Sequence, residues 1–373
     1  MEAYLEYTLL AFLLIFFLIQ LYYLIVVQRK LNIYNIAEEK INYDFKVSVV
    51  ICARNESKNL QENLPLIFQQ KGVDFEVVVV NDCSFDNSDE VLRNFKDQYA
   101  NLKVVTKEEH VLYKTGKKFA LTLGIKAASN EILVFTDADC RPCSDEWLVT
   151  ICSAYRNPQT EIVLGYSPYE KKKGLLNMLI RYETFQTALN YFSFALNGMP
   201  YMGVGRNLSY KKALFFKNKG FASHMHIPSG DDDLFVNQNA NTTNTFIEIR
   251  PESHVLSEPK TTWKSYWNQK LRHFGAGNAY KKAHQFQLGL QGVSAIGFYI
   301  FVIACLALQS CWPYVLSIFF IRFLVQILIY SKSLTILRCK DLIWSLLFLD
   351  LFYQTFLMII SFRRLFRKKI AWK

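Results

Sequence analysis

Two apolar runs in this sequence end in carboxylates. Val77-Val78-Val79-Val80 leads into Asn81-Asp82, and Ile132-Leu133-Val134-Phe135 leads into Thr136-Asp137-Ala138-Asp139. A single aspartate after a strand is ordinary turn chemistry. Three of them, from two distant stretches, form a set. Asp137 and Asp139 are two apart, so on a regular strand both point to one face. Two carboxylates cannot enclose a hard cation alone. They suit Mg2+ or Mn2+ that takes its remaining ligands from substrate phosphates. A nucleoside-diphosphate sugar supplies such phosphates, and a metal would neutralise charge as the diphosphate leaves. Lys117 and Lys118, directly after Gly116, add positive charge beside that site or simply open a solvated helix.

Further along, Asp231-Asp232-Asp233 precede Leu234-Phe235. Three consecutive acids cannot all be buried cheaply. One of them suits a general base for an acceptor hydroxyl. The plainer alternative is a charged helix start, where Asp is favoured. Gln269, Arg272 and His273 stand at i, i+3 and i+4, so a helix puts them on one face. Arg272 suits diphosphate oxygens. Trp263, Tyr266 and Trp267 precede it and are typical of a membrane interface, which makes about 261–280 an expected interfacial helix. There is no G-x-x-x-x-G-K-[ST] loop and no G-x-G-x-x-G after the first strand, so ATP-driven and dinucleotide chemistries lack their usual cradles. Cys140 and Cys143 form a C-x-x-C with no second pair or nearby His to complete a zinc site.

The elements that must position these groups alternate. Short β-rich runs lie at 47–53, 75–80, 102–105 and 131–135. Helical spacing covers 57–70, with Asn55 or Ser57 as its cap, then 88–99 and 117–128. Strands alternating with helices predict an α/β domain with a parallel sheet buried on both faces. In such sheets ligands bind beyond the carboxyl ends of the strands. Asp82, Asp137 and Asp139 should therefore meet at one edge.

The 373 residues leave room for one such domain plus apolar segments. The hydrophobic share is 51%, and the excess sits at the two ends. The run 9–27, broken only by Gln20, is long enough for a hydrocarbon core of ~30 Å. No basic region precedes it and no small-residue cleavage site follows, which argues against a signal peptide. Arg29 and Lys30 come next, and basic residues favour the cytoplasmic side. The expected organisation is an anchor at 1–28, a linker at 29–45, and a cytosolic domain at 46–280. An apolar region with three segments follows at 290–362, and then a basic tail at 363–373. Three crossings would leave that tail outside, against the positive-inside tendency. Asp350 and Gln354 also interrupt the last run (342–362), so it is expected to be broken, re-entrant or interfacial. Lys and Arg number 43 against 32 Asp and Glu, a net charge of +11. The basic runs accompany apolar segments, so anionic lipid headgroups, and not nucleic acid, are the expected partner. Eight cysteines without a dense framework fit a reduced compartment.

These motifs, in this order over about 46–280, resemble family 2 of the inverting glycosyltransferases. The likeness is to membrane-bound members such as cellulose, chitin and hyaluronan synthases and ceramide glucosyltransferases. Val49-Val50-Ile51-Cys52-Ala53-Arg54-Asn55-Glu56 resembles the family's first strand and nucleotide loop, which implies that Glu56 lies near the base or ribose. Asn81-Asp82 resembles a motif that is usually a double Asp, so the nucleotide role passes to Asp82 only. Gly116-Lys117-Lys118-Phe119-Ala120-Leu121 resembles the Lys–Ala–Leu segment, and Asp137-Ala138-Asp139 the metal motif. Gly203-Val204-Gly205-Arg206-Asn207 resembles the acceptor-side segment. The resemblance implies the Rossmann-like GT-A fold and in-line displacement at the anomeric carbon with inversion. It implies Asp232, or else Asp231, as base, a metal on Asp139 aided by Asp137, and Arg272 beside the departing diphosphate. His273 replaces the family's usual Trp in Gln-x-x-Arg-Trp, which bears on the acceptor. The implied partners are a UDP- or GDP-sugar, a lipid-linked or saccharide acceptor, and the lipids of a bacterial inner membrane, in cell-envelope glycan or glycolipid synthesis. A processive polysaccharide synthase and a non-catalytic membrane scaffold or transporter subunit are the competing expectations. Product length separates the first, and nucleotide-sugar binding the second.

Overall fold

The computed structural model describes residues 2–35, 45–107, 116–227, 229–273, 275–309 and 311–365. They form two compact units. One is built from Ile36–Lys172 and Gly198–Tyr280, the other from Met1–Asn35, Lys173–Asn197 and Lys281–Lys369. Residues 173–197, inside the expected 46–280 domain, thus cluster with the N- and C-terminal segments.

The first unit is α/β. Its strands are β1 (Lys46–Ala53), β2 (Asp74–Asp82), β3 (Leu102–Lys107), β4 (Ile132–Asp137), β5 (Cys140–Pro142), β6 (Ile162–Leu164), β7 (Leu208–Lys211), β8 (Thr245–Ile247) and β9 (Val255–Ser257). Seven form one sheet in the order β3-β2-β1-β4-β7-β6-β8, and β5 pairs with β9 apart from it. The expected parallel arrangement holds for β3-β2-β1-β4. Beyond β4 it gives way, because β7 runs antiparallel to both β4 and β6. The valines of β2, Val77 to Val80, are fully buried, as strands covered on both faces require. The helix Lys117–Ala127 lies close against them at Gly124. A Cβ there would meet Val50 Cγ1 at 2.7 Å and Val80 Cγ2 at 2.9 Å.

The loops after β1 and β2 are sewn together. Asn55, left-handed at φ 58°, donates its backbone N–H to Ser84 Oγ, and its Oδ1 accepts from the Phe85 N–H. The helix Ser57–Phe68 takes no cap from Asn55 or Ser57. Asp86 Oδ2 accepts its first N–H, from Ser57, and Ser88 Oγ accepts that of Glu56. Burial opposes the charge on Asp86, but hydrogen bonds from Ser88 and Ser57 outweigh it and hold the carboxyl down to about 2. The helix N-terminus is thus closed by an anion from a neighbouring loop.

The second unit is apolar. Its first helix, Glu2–Tyr22, continues through a π-turn at Tyr23–Gln28 into Arg29–Ile33. The others are Leu175–Leu196, Lys282–Ala307, Trp312–Ile336 and Leu346–Leu365. Among the described residues, four stretches are long and apolar enough to cross a membrane: Tyr4–Ile33, Lys282–Ala307, Trp312–Ile336 and Lys340–Arg363. Of the forms expected for the last run, the broken one is not seen. After a 3-10 turn at Lys340–Ser345 the run is one 20-residue helix, Leu346–Leu365. Asp350 does not interrupt it because its charge is met inside the unit. Asp350 is 1% exposed and accepts from Arg322 Nη1 at 2.9 Å, Tyr299 Oη at 2.6 Å and Tyr182 Oη at 3.0 Å. Arg322 also donates to Gln326 Oε1 at 2.8 Å and to Gln20 Oε1 at 3.3 Å. Gln20 in turn donates to Ser294 Oγ at 2.7 Å. Where lipid offers no hydrogen-bond partner, such groups must satisfy one another. The basic tail from 366 onward lies outside the described residues, as does most of the expected linker (36–44).

Candidate active site

Strand ends deliver the carboxylates. Asp82 closes β2 and Asp137 closes β4, while Asp139 stands in the turn between β4 and β5 and not on a strand. The strand argument for a shared face therefore fails, yet the pair still converges. Ligand atoms of Asp137, Asp139 and Cys140 all lie within 4.8 Å of one another. Two carboxylates at that spacing fit a divalent cation completed by phosphate oxygens. Burial, followed by the charge of Asp137, raises the Asp139 carboxyl above its usual range. The Cys140 thiol is buried and donates to Asp139 Oδ1 at 3.4 Å, whereas Cys143 is exposed, so the C-x-x-C does not act as a pair.

Lys117 ties two parts of the sequence together. Its Nζ lies 2.8 Å from Asp137 Oδ1 and 3.2 Å from Asp231 Oδ2. Burial works against its charge, but Asp137, Asp231 and Asp232 outweigh it and hold the ammonium well above the usual lysine range. Lys118 is not a solvated helix start. It is 3% exposed and donates to the carbonyls of His224 (2.7 Å) and Ile227 (3.1 Å), and burial lowers it to about 8. A cavity at this point is lined by Cys52, Lys117, Thr136, Asp137, Gly205, Asp231 and Asp232 among others.

The three acids before the helix Asp233–Asn239 have different tasks. Both oxygens of Asp232 accept backbone N–H groups, Oδ2 from Gly205 at 2.7 Å and Oδ1 from Asp233 at 2.8 Å. Asp233 accepts from Leu234 N–H and from Tyr280 Oη, both in close bonds of 2.7 and 2.8 Å. Burial and then the charge of Asp232 raise Asp233 to about 7. Asp231 faces Lys117 through Oδ2, and its Oδ1 has no hydrogen bond among the described residues.

The remaining expected residues divide. Glu56 accepts from Asn59, and burial, followed by Asp139 and Asp137, raises its carboxyl. Asp82 is 5% exposed and ion-paired with Lys107, a partner hidden from the sequence because strand β3 runs two residues past the apolar stretch. Asn207, expected on the acceptor side, is fully buried. Its Oδ1 accepts from Trp147 Nε1 at 3.0 Å, and its Nδ2 donates to the carbonyls of Tyr166 (2.7 Å) and Ser253 (2.8 Å). Gln269 donates to Tyr169 Oη at 3.3 Å, and the Arg206 guanidinium carbon lies over the Tyr169 ring, 4.4 Å from its centroid. Arg206 and Tyr169 were not singled out from the sequence, where Arg206 sits unmarked between two small-residue positions and Asn207. Arg272 and His273 fall in the helix Trp263–His273, but their side chains lie outside the described residues.

Residues 48–215 match the family model described as glycosyl transferase family 2. The glycosyltransferase AglE of Haloferax volcanii is 33% identical over 130 residues, 34% of this chain and 41% of that protein. The poly-beta-1,6-N-acetyl-D-glucosamine synthase of Staphylococcus epidermidis is 26% identical over 159 residues, 43% and 37% respectively. The chain thus spans about two fifths of the length of these curated relatives. Among solved structures, the mannosyltransferase PcManGT of Pyrobaculum calidifontis, in complex with GDP-Man and Mn2+, superposes with a TM-score of 0.60 at 18% identity. The match covers 93% of this chain and 99% of that one. Residues 48–215 thus match glycosyl transferase family 2, and the α/β unit has the expected GT-A fold, which it shares with that solved structure.

Proposed function

We propose that this protein is an inverting glycosyltransferase that moves a sugar from a UDP- or GDP-sugar to a hydroxyl of a lipid-linked or saccharide acceptor at a membrane. The observation that carries this reading is the bridge from Asp137 through Lys117 to Asp231, which brings Asp137 of the metal-type pair to one cavity with Asp231 and Asp232. Mg2+ or Mn2+ on Asp139 and Asp137 would neutralise charge on the leaving diphosphate. Asp231 is the better base. Its Oδ1 is open to an acceptor hydroxyl, whereas both oxygens of Asp232 are occupied by backbone N–H groups that fix the start of the helix. The other oxygen of Asp231, Oδ2, is held 3.2 Å from the Lys117 ammonium, which fixes the carboxylate at the cavity. Asp82 and Glu56 would border the nucleoside, at the carboxyl ends of β2 and β1.

The four apolar stretches support a membrane-bound enzyme with a lipidic acceptor, and Arg29 and Lys30 support a cytosolic active site. The test is a screen of UDP- and GDP-sugars with Mg2+ or Mn2+, using the full chain in membranes and reading nucleotide release and product length. Asp139→Asn and Asp231→Asn should each abolish release. Unchanged activity in Asp139→Asn would remove the metal role, and a long polymer would replace single transfer by processive synthesis.

A further inference from the structure

We propose that Arg206 is a diphosphate-binding residue of this site, held in place by Tyr169 and, through it, by Gln269. This rests on the reading above. Arg206 lies in the turn between Val204 and Asn207, where its neighbours are pinned: Gly205 N–H to Asp232 and Asn207 by its three side-chain bonds. Its guanidinium carbon lies over the Tyr169 ring, 4.4 Å from the centroid. Asp137 and Asp139 are among its electrostatic neighbours, yet it forms no ion pair with either among the described residues. Its Nη1 is buried and has no hydrogen-bond partner.

That combination is unusual for a structural arginine. A buried guanidinium N–H is normally satisfied, because leaving it unmade is costly. A structural arginine with two carboxylates among its electrostatic neighbours would normally pair with one of them. Here the group is held over a ring and keeps a donor for something outside the chain. The planar fork matches phosphate oxygens, and a cation on Asp137 and Asp139 would draw phosphates to this place. Lys117, a compact ammonium on Asp137 and Asp231, lies on the acid side of the cavity. Arg206, adjacent in the chain to the cavity-lining Gly205 and with Asp137, Asp139 and Cys140 among its electrostatic neighbours, gives the metal pair a second cation.

The support behind Arg206 is built. Tyr169 is fixed at its backbone by a bridge to Ser257 and at its hydroxyl by Gln269 Nε2. Gln269 therefore acts on the donor side as a positioning residue, by keeping the ring beneath Arg206.

The proposal makes two predictions of opposite sign. An arginine beside two carboxylates repels a bare cation but attracts a diphosphate. With the full chain in lipid nanodiscs, Mn2+ binding alone is read by electron paramagnetic resonance. Binding of UDP and of GDP at saturating Mn2+ is read by calorimetry. Arg206→Gln should weaken the preferred nucleoside diphosphate by about 10- to 100-fold while Mn2+ alone binds as well or better. Arg206→Lys should recover part of the loss. Tyr169→Phe should cost only a few-fold and Tyr169→Leu nearly as much as Arg206→Gln.

A merely structural role would weaken Mn2+ and nucleotide together, and that outcome overturns the proposal. So does wild-type nucleotide affinity in Arg206→Gln when Asp139→Asn has lost it, a result that leaves the proposed function standing. If the wild-type chain binds neither diphosphate with Mn2+, the functional reading fails and this inference fails with it. Should Arg206→Gln not fold, Arg206→Lys and Tyr169→Leu decide by the same opposed signs.

Discussion

Replacing Asp350 by Asn should destabilise the apolar unit out of proportion to the one atom exchanged. Asn keeps the size of the side chain and one acceptor oxygen, enough for either Tyr182 or Tyr299, which donate to different oxygens of Asp350. What it removes is the counter-charge of Arg322, which is 3% exposed and 2.9 Å from Asp350. An uncompensated buried charge costs about 3–5 kcal/mol. Tyr299→Phe deletes only one bond to the same carboxylate, and single side-chain bonds among membrane helices average about 0.6 kcal/mol. Arg322→Met combined with Asp350→Leu removes both charges. It leaves Tyr182, Tyr299, Gln20 and Gln326 short of a partner, yet should be less destabilised than either charge-breaking single variant. A double-mutant cycle on reversible unfolding in mixed micelles measures this. We expect a coupling of about 2 kcal/mol or more. If the single effects simply add, the ion pair does not hold these helices together and the reasoning is wrong.

Three further outcomes follow from the α/β unit. Asp233 has a folded value near 7, above the ~3.9 of an unfolded aspartate. Its stabilisation is therefore full below about pH 4 and is lost as pH rises through about 7; Asp233→Asn should flatten that fall in a pH series of melting temperatures. Asn207→Ala strands Trp147 Nε1 and the Ser253 carbonyl, while the Tyr166 carbonyl keeps only the Val255 N–H, and should cost ~3 kcal/mol by denaturant titration, with the acceptor KM of any remaining activity unchanged. Gly124→Ala forces a Cβ against Val50 and Val80 and should cost about 1–3 kcal/mol, seen as a lower melting temperature.

The parallel half of the sheet is legible because its strands are continuous β-branched runs. The strands Lys46–Ala53 and Asp74–Asp82 extend the expected 47–53 and 75–80 by only a few polar residues. Strands of three residues, such as Ile162–Leu164 and Thr245–Ile247, carry no period that a sequence can display. The acids of the site are legible because carboxylates at strand ends are chemically conspicuous. Their partners are not. Lys107 lies beyond the apolar part of its strand, and Arg206 gains its meaning from Tyr169, 37 positions away. Asn207 shows the reverse error. A polar residue in a promising motif has spent its hydrogen bonds on the scaffold. Asp350 does the same in the apolar unit, where an acid that argued against a spanning helix is neutralised from a neighbouring one.

The excursion of residues 173–197 has a practical consequence for anyone wishing to study catalysis in solution. No pair of cuts in the chain releases the α/β unit alone. The span 46–280 carries with it Leu175–Leu196, a helix most of whose side chains are buried among segments that such a cut removes. Arg181 would lose Asp341 and Tyr182 would lose Asp350. A water-soluble version of this enzyme is therefore a problem of internal deletion, joining Lys172 to Gly198 through a short polar link, and trimming the two ends will yield an insoluble product.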